Sequence, residues 1–303
     1  MNIILLYAGT VLIWGSTWLV IKYQLGLVAP EVSVAYRFAL AAIILMIYCV
    51  ATSKRMRYGL RDHIGMATLG LFLFSANYFV FYLATYDLTT GLIAVVFSGI
   101  AITNIIFGAL LLGNPIRPRV ALGAAFGIAG LVTVFWPEIQ NFDLASQGSR
   151  GLLWSIAGTL LASIGNMASA SNQRRGLPVL QANAYGMTYG AVFMLAFAVI
   201  GGSQFNFDSS PLYVGSLIYL ALFGSVIAFG CYLTLIGRIG PGNAAYATVL
   251  APIIALALST GFEGYQWQVR AIIGVGFVLI GNILVLAPKH ALIKAGLRLK
   301  LKI

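Results

Sequence analysis

This sequence carries little charge and almost no acid. Only 8% of its 303 residues are charged, against about a quarter in an average soluble domain. Seven are Asp or Glu and eighteen are Lys or Arg. So few charges cannot cover a water-facing surface, and 60% hydrophobic residues place the chain in a bilayer. Both cysteines, Cys49 and Cys231, lie inside apolar runs, which excludes a disulfide framework of the secreted kind. Both histidines, His63 and His290, lie outside those runs, and no carboxylates or imidazoles cluster. A nucleophile with a base in reach, or a metal centre, therefore has no residues to draw on, and neither an enzyme nor a cofactor is expected. Lys and Arg are missing ahead of the first apolar run, and no small-residue cleavage pattern follows it. That run is expected to remain as a span and not to be removed as a signal peptide.

What is present is long apolar runs. Stretches of about 20 residues can be read at 3–21, 33–52, 64–84, 91–112 and 120–136, and again at 151–170, 182–200, 213–235, 243–262 and 271–287. The connections are short and carry Gly, Pro, Asn or Asp, as turns do. The expected fold is an all-α polytopic membrane protein with ten transmembrane helices. The formal charge of +11 would suggest nucleic acid in a soluble protein. Here the basic residues flank apolar runs, so they report topology, and no nucleic-acid partner is expected. Fourteen basic residues fall on the side shared by the termini and three, Lys22, Arg150 and Arg270, on the other. The positive-inside bias then puts both termini in the cytoplasm.

One pattern occurs twice. Arg119, Gly123, Phe126, Gly130 and Pro137 recur at the same spacing as Arg270, Gly274, Phe277, Gly281 and Pro288. Tyr36 likewise matches Tyr185, and Tyr82-Leu83 matches Tyr232-Leu233. The chain thus divides into a five-helix repeat at 1–137, a second at 148–288, and a basic cytoplasmic tail at 289–303 that reads as a segment lying on the inner leaflet. Because five is odd, the second repeat enters the membrane from the opposite face. Inverted repeats of this kind surround a central cavity and give two nearly equivalent arrangements, one open to each side. A channel would share the composition, but the inverted duplication favours a carrier.

Within the spans one charge stands well inside, Arg37. It either snorkels to the outer headgroups or attracts a substrate carboxylate. No Asp, Glu or His lies near the centre of a span, so no carboxylate proton relay is expected, and transport is predicted to be facilitated or weakly coupled. Tyr78, Tyr82 and Tyr86 recur every fourth residue with Asn77 beside them; Ser155, Thr159, Ser163 and Asn166 form a second stripe, and Thr10, Trp14 and Thr17 a third. Such stripes serve either helix packing or a cavity whose aromatic walls and polar groups suit an amphipathic amino acid. Pro252 is expected to bend its helix, with a gating role.

In these features the chain resembles the drug/metabolite transporter superfamily, specifically its EamA-type ten-helix carriers. The resemblance rests on Trp14-Gly15-Ser16, Arg37-Phe38, Leu250-Ala251-Pro252 and Phe262-Glu263-Gly264 together with the duplication. The aromatic third helix and the Phe-Glu-Gly ending resemble the YddG-type amino-acid exporters. Two departures stand in the first half: Gly113-Asn114-Pro115 replaces a Gly-Glu pair, and Ile102 or Thr103 replaces the proline matched by Pro252. The resemblance implies a cavity among the first, third, fourth, sixth, eighth and ninth helices. It thereby nominates Trp14, Asn77, Tyr78, Tyr82, Ser98, Asn166 and Tyr246 as substrate-binding residues, alongside Arg37. It also implies export of aromatic and other neutral amino acids from a bacterial inner membrane. Drugs or other metabolites are the alternative cargo, and a monomer is expected to suffice.

Overall fold

The computed structural model describes residues 3–113, 118–136, 140, 143, 146–244 and 246–286. Among them the regular structure is entirely helical, and ten helices cross the membrane as two inverted sets of five around a central cavity. In the first set α1 is Ile3–Lys22, α2 Pro30–Ala51, α3 Leu60–Asp87, α4 Thr90–Leu112 and α5 Pro118–Val134. In the second, α6 is Gln147–Arg174 and α7 Val179–Ile200; α8 is continuous through Pro211–Tyr219, Leu220–Ile227 and Ala228–Ala244; α9 is Tyr246–Phe262 and α10 Val269–Leu286. The shortest, α5 and α9, have 17 residues. At 1.5 Å per residue they reach about 26 Å, close to the thickness of a hydrocarbon core. Exposed Ile43, Ile47, Leu110 and Ile200 on the outer surfaces are the lipid-facing complement of this arrangement. The tail at 289–303, with Pro137 and Pro288, lies outside the described residues.

The twofold relation is visible in single contacts. The Tyr36 hydroxyl donates to the carbonyl of Asn206 (3.3 Å), and the Tyr185 hydroxyl donates to that of Met56 (2.7 Å). Each tyrosine thus ties its helix, α2 or α7, to a connection in the opposite repeat. The duplicated glycine stretch forms the α5–α10 seam. A Cβ on Gly130 would lie 2.5 Å from the carbonyl oxygen of Gly274, and one on Gly281 the same distance from that of Gly123. Phe126 and Phe277 meet edge to face at 6.0 Å beside them. Small residues let two backbones approach where no hydrophobic force drives helices together. The seam stands apart from the cavity, so the motif marks packing and symmetry.

Two segments depart from the α-helix. Phe72–Ala76 in α3 and Leu220–Ile227 in α8 are π-helical, at matching places in the two repeats. In the second, the Ser225 hydroxyl donates to the carbonyl of Leu220, five residues back. Such wide turns reset the facing of everything beyond them and are frequent at functional sites.

At the end of α9 remote from its start, Glu263 ties three helices together. Its Oε2 accepts from the Thr90 amide (3.0 Å), the Thr90 hydroxyl (2.6 Å) and the Ser259 hydroxyl (2.6 Å), while Lys22 Nζ lies 3.2 Å from Oε1. The Glu263 side chain is 1% exposed and that of Lys22 46%. α4 and α9 both close on a left-handed glycine, Gly113 (φ 68°) and Gly264 (φ 69°). Glu263 therefore matches Leu112, and the buried carboxylate has no counterpart in the first repeat.

Candidate substrate cavity

Between the repeats lies a cavity walled by α1, α3, α4, α6, α8 and α9. α1 contributes Trp14, Thr17 and Trp18; α3 contributes Asn77, Tyr78 and Phe81; α4 Phe97; α6 Asn166; α8 Phe229 and Tyr232; α9 Ala251. Two aromatic groups form most of the wall. Trp14 packs on Phe229 at 5.2 Å and Tyr232 at 4.8 Å, and Trp18 packs on Phe81 at 5.1 Å and Phe97 at 5.3 Å. The tilted and edge-on geometries are those that ring quadrupoles favour. The cavity volume is ≈ 40 Å³, room for a few waters and far below the roughly 300–1,000 Å³ of an occupied small-molecule site. In this conformation the space is too small for an amino-acid-sized molecule.

Polar groups left without partners gather here. Trp14 Nε1 and Asn77 Oδ1 are buried and unsatisfied, as are Tyr82 Oη and Arg37 Nη1 behind the wall. A buried donor or acceptor left unpaired is destabilising by about 1–3 kcal/mol, so four in one neighbourhood mark a place built for something other than packing. Asn166, by contrast, is committed: with Ser163 it donates to Oδ1 of Asn104 on α4, at 3.3 and 2.9 Å.

The nominated residues sort cleanly by position. Trp14, Asn77, Tyr78 and Asn166 stand on the cavity wall. Tyr82 is fully buried one turn beyond Tyr78 and off the wall. Ser98 does not reach it, because its hydroxyl donates to the carbonyl of Val95 at 2.6 Å within α4. Pro252 is buried inside α9, next to Ala251 of the wall. The side chain of Tyr246 lies outside the described residues. Arg37 does not snorkel: it is 1% exposed and directed inward, with Nε donating to Ser225 Oγ at 3.0 Å.

The stripes are only partly cavity. Tyr86 is 52% exposed, since eight residues at 100° each turn a helix about 80° away from Tyr78. Ser155 and Thr159 donate to carbonyls four residues back in α6, so they satisfy themselves within their own helix. Trp18, Phe97, Phe229, Tyr232 and Asn104 are absent from the sequence-based selection. Of these, Tyr232 had a signal, as the repeat partner of Tyr82.

Ten helices in inverted repeats around a mid-membrane cavity define a membrane transporter of the drug/metabolite superfamily. The chain belongs to the EamA-like transporter family, whose model matches it twice, over residues 1–136 and 149–287. It is similar to the uncharacterized inner membrane transporter YedA of Escherichia coli strain K12, 28% identical over 283 residues, covering 92% of this chain and 89% of that protein. The uncharacterized transporter YyaM of Bacillus subtilis is 25% identical over 301 residues, covering 93% and 92%. A chloroplastic WAT1-related protein of Arabidopsis thaliana is 24% identical over 286 residues, covering 91% and 67%. A crystal structure aligns over 97% of this chain and 98% of its own with a TM-score of 0.70 at 18% identity, which is likeness of fold.

Proposed function

We propose that this protein exports amino acids, aromatic and other neutral ones, across a bacterial inner membrane by alternating access between its two repeats. One observation carries the substrate class: rings from four helices line a single space, and two residues of its wall, Trp14 and Asn77, hold buried polar atoms without partners, Nε1 and Oδ1. The rings suit an apolar side chain and the polar atoms a zwitterion. The outward direction rests on the resemblance to YddG-type exporters, and the cytoplasmic placement of both termini on the positive-inside bias.

Trp14, Asn77, Tyr78 and Asn166 are the binding residues in this reading, and Pro252 lets α9 bend during opening. No Asp, Glu or His stands on the cavity wall among the described residues. Movement is therefore facilitated or weakly coupled, and one copy of the chain suffices.

The test is a panel of amino acids in proteoliposomes containing the purified protein, with and without ion gradients. Tyr78→Ala is expected to lower phenylalanine flux at least threefold more than alanine flux, because it removes a wall that only large side chains touch. Equal loss for all substrates would mean damaged packing. Uphill movement driven by a pH gradient alone would contradict weak coupling.

A further inference from the structure

The guanidinium of Arg37 is buried beside the cavity, without a counter-ion among the described residues. Its Cζ lies 4.3 Å from the ring centre of Tyr78 and 5.2 Å from that of Phe38, and Nε has Ser225. Nη1 has no hydrogen-bond partner, and no carboxylate among the described residues pairs with the group. Ring faces and one neutral hydroxyl offset only part of the penalty for removing a cation from water. The surroundings are closed to a further atom in this conformation, so a ligand reaches the group only when a neighbour moves. Tyr82 Oη is a second buried group without a hydrogen-bond partner, one helical turn beyond Tyr78 on α3. On the other side stands Gly224, where a Cβ would lie 3.2 Å from Arg37 Nη2 and 2.9 Å from Thr17 Cγ2. Thr17 and Tyr78 both belong to the cavity wall, so the guanidinium lies immediately behind it.

The fold itself does not require a cation here. By the Tyr36–Tyr185 correspondence, the residue of α7 that matches Arg37 is Gly186. There α7 closes directly on the ring of Phe74 in the first π segment, with a Cβ on Gly186 only 3.0 Å from that ring. The same helix-to-π-segment junction is thus built once with glycine and once with a buried arginine, and the arginine is an addition to the shared scaffold.

We propose that Arg37 and the Tyr82 hydroxyl form a carboxylate subsite, covered in this conformation by the ring of Tyr78, and that this subsite restricts the cargo to carboxylates. A carboxylate reaching Nη1 supplies the missing counter-ion, and it accepts from Tyr82 as well. Tyr78 moves aside for it, which couples substrate arrival to a rearrangement of α3 next to its π segment. This deepens the amino-acid reading and rests on it.

Thermal unfolding of the purified, detergent-solubilised protein separates the claims, using four probes. L-phenylalanine and 3-phenylpropionate share the carboxylate, phenethylamine lacks it, and sodium formate is a carboxylate without a side chain. Phenylalanine and phenylpropionate are expected to stabilise the wild type with apparent affinities at least ~10-fold better than phenethylamine. Arg37→Gln abolishes that preference, Arg37→Lys keeps part of it, and Tyr82→Phe weakens both carboxylates severalfold.

The unliganded proteins give a second readout. Arg37→Met relieves an unpaired buried charge and is expected to melt no lower than wild type, whereas loss of a structural staple would lower it. Phenethylamine binding as well as phenylalanine, with Arg37→Gln unchanged, would overturn the subsite while leaving the amino-acid cavity intact. If no aromatic ligand binds yet formate stabilises wild type and not Arg37→Gln, the subsite stands and the amino-acid reading fails. Carboxylate effects that survive Arg37→Gln, or an Arg37→Met that melts lower, would also overturn the subsite.

Discussion

Replacing Glu263 tests how the two repeats are held together at one membrane face. The carboxylate gathers three hydrogen bonds from α4 and α9, at 3.0, 2.6 and 2.6 Å, and an ion pair with Lys22 of α1 at 3.2 Å. The Glu263 side chain is 1% exposed, so truncating it leaves the Thr90 amide and two hydroxyls without their acceptor. Breaking a buried charge network from one side costs about 3–5 kcal/mol. Lys22 is 46% exposed, and its share is screened to about 1 kcal/mol or less. Glu263→Ala is therefore expected to destabilise by about 3–5 kcal/mol and Lys22→Met by no more than about 1 kcal/mol.

The pH dependence follows from the same contacts. Burial raises the Glu263 carboxyl, but hydrogen bonds from Ser259 and Thr90, with those of Lys22 and its charge, outweigh it and hold the group below the ordinary carboxylate range. A folded-state value below the unfolded one means the contribution is full above the unfolded value of about 4.3 and fades as pH falls through the lowered one. Stability should be flat in this respect between about pH 5 and 8 and fall only in acid, and the acid limb should be shallower in Glu263→Gln. Equilibrium unfolding in detergent micelles reads all three. A Glu263→Ala protein within about 0.5 kcal/mol of wild type, or a Lys22→Met protein less stable than Glu263→Ala, would refute the reasoning.

Three further outcomes follow from the packing. Gly130→Ala puts a methyl group 2.5 Å from a backbone oxygen of α10, so the α5–α10 seam must open at about 1–3 kcal/mol, read by the same unfolding assay. Asn104→Ala strips the shared acceptor from Ser163 and Asn166 and is expected to destabilise by about 1–3 kcal/mol, whereas Asn104→Asp, which keeps an acceptor, loses less. Glu263→Gln should also expose the cavity: a cysteine at Ala162 of its wall, in a chain with Cys49 and Cys231 replaced by Ala, should react at least ~10-fold faster with an impermeant thiol reagent added from the Glu263 side than in the Glu263 background, and equal rates would count against that.

Apart from the end of α8, the helix ends were legible in the chain to within a few residues because apolar length is a strong signal in lipid. The largest misplacement is the end of α8, which runs on to Ala244 past the apolar run that stops at 235, while some smaller ones have a local cause. α2 and α8 begin at Pro30 and Pro211, earlier than the apolar runs predict, because proline is tolerated in the first turn, where its missing N–H costs nothing. The π segments were not legible, since Phe72–Ala76 and Leu220–Ile227 carry no residue that α-helix excludes. Helical spacing groups Trp14, Asn77 and Tyr78, which stand on the cavity wall, but it also groups Ser155, which bonds within its own helix, as does Ser98, nominated by the resemblance. A small hydroxyl in a helix can satisfy itself on its own backbone, and spacing cannot say whether it does. Arg37 stood out as a charge in a span, but its inward direction depends on Ser225 and Tyr78, both distant in sequence.

The most direct test of the central claim is counterflow of labelled L-phenylalanine in proteoliposomes. A carrier working by alternating access should show saturable uptake that unlabelled phenylalanine inside the vesicles accelerates several-fold, with no requirement for a pH gradient. Uptake that rises linearly with concentration and ignores internal phenylalanine would contradict it.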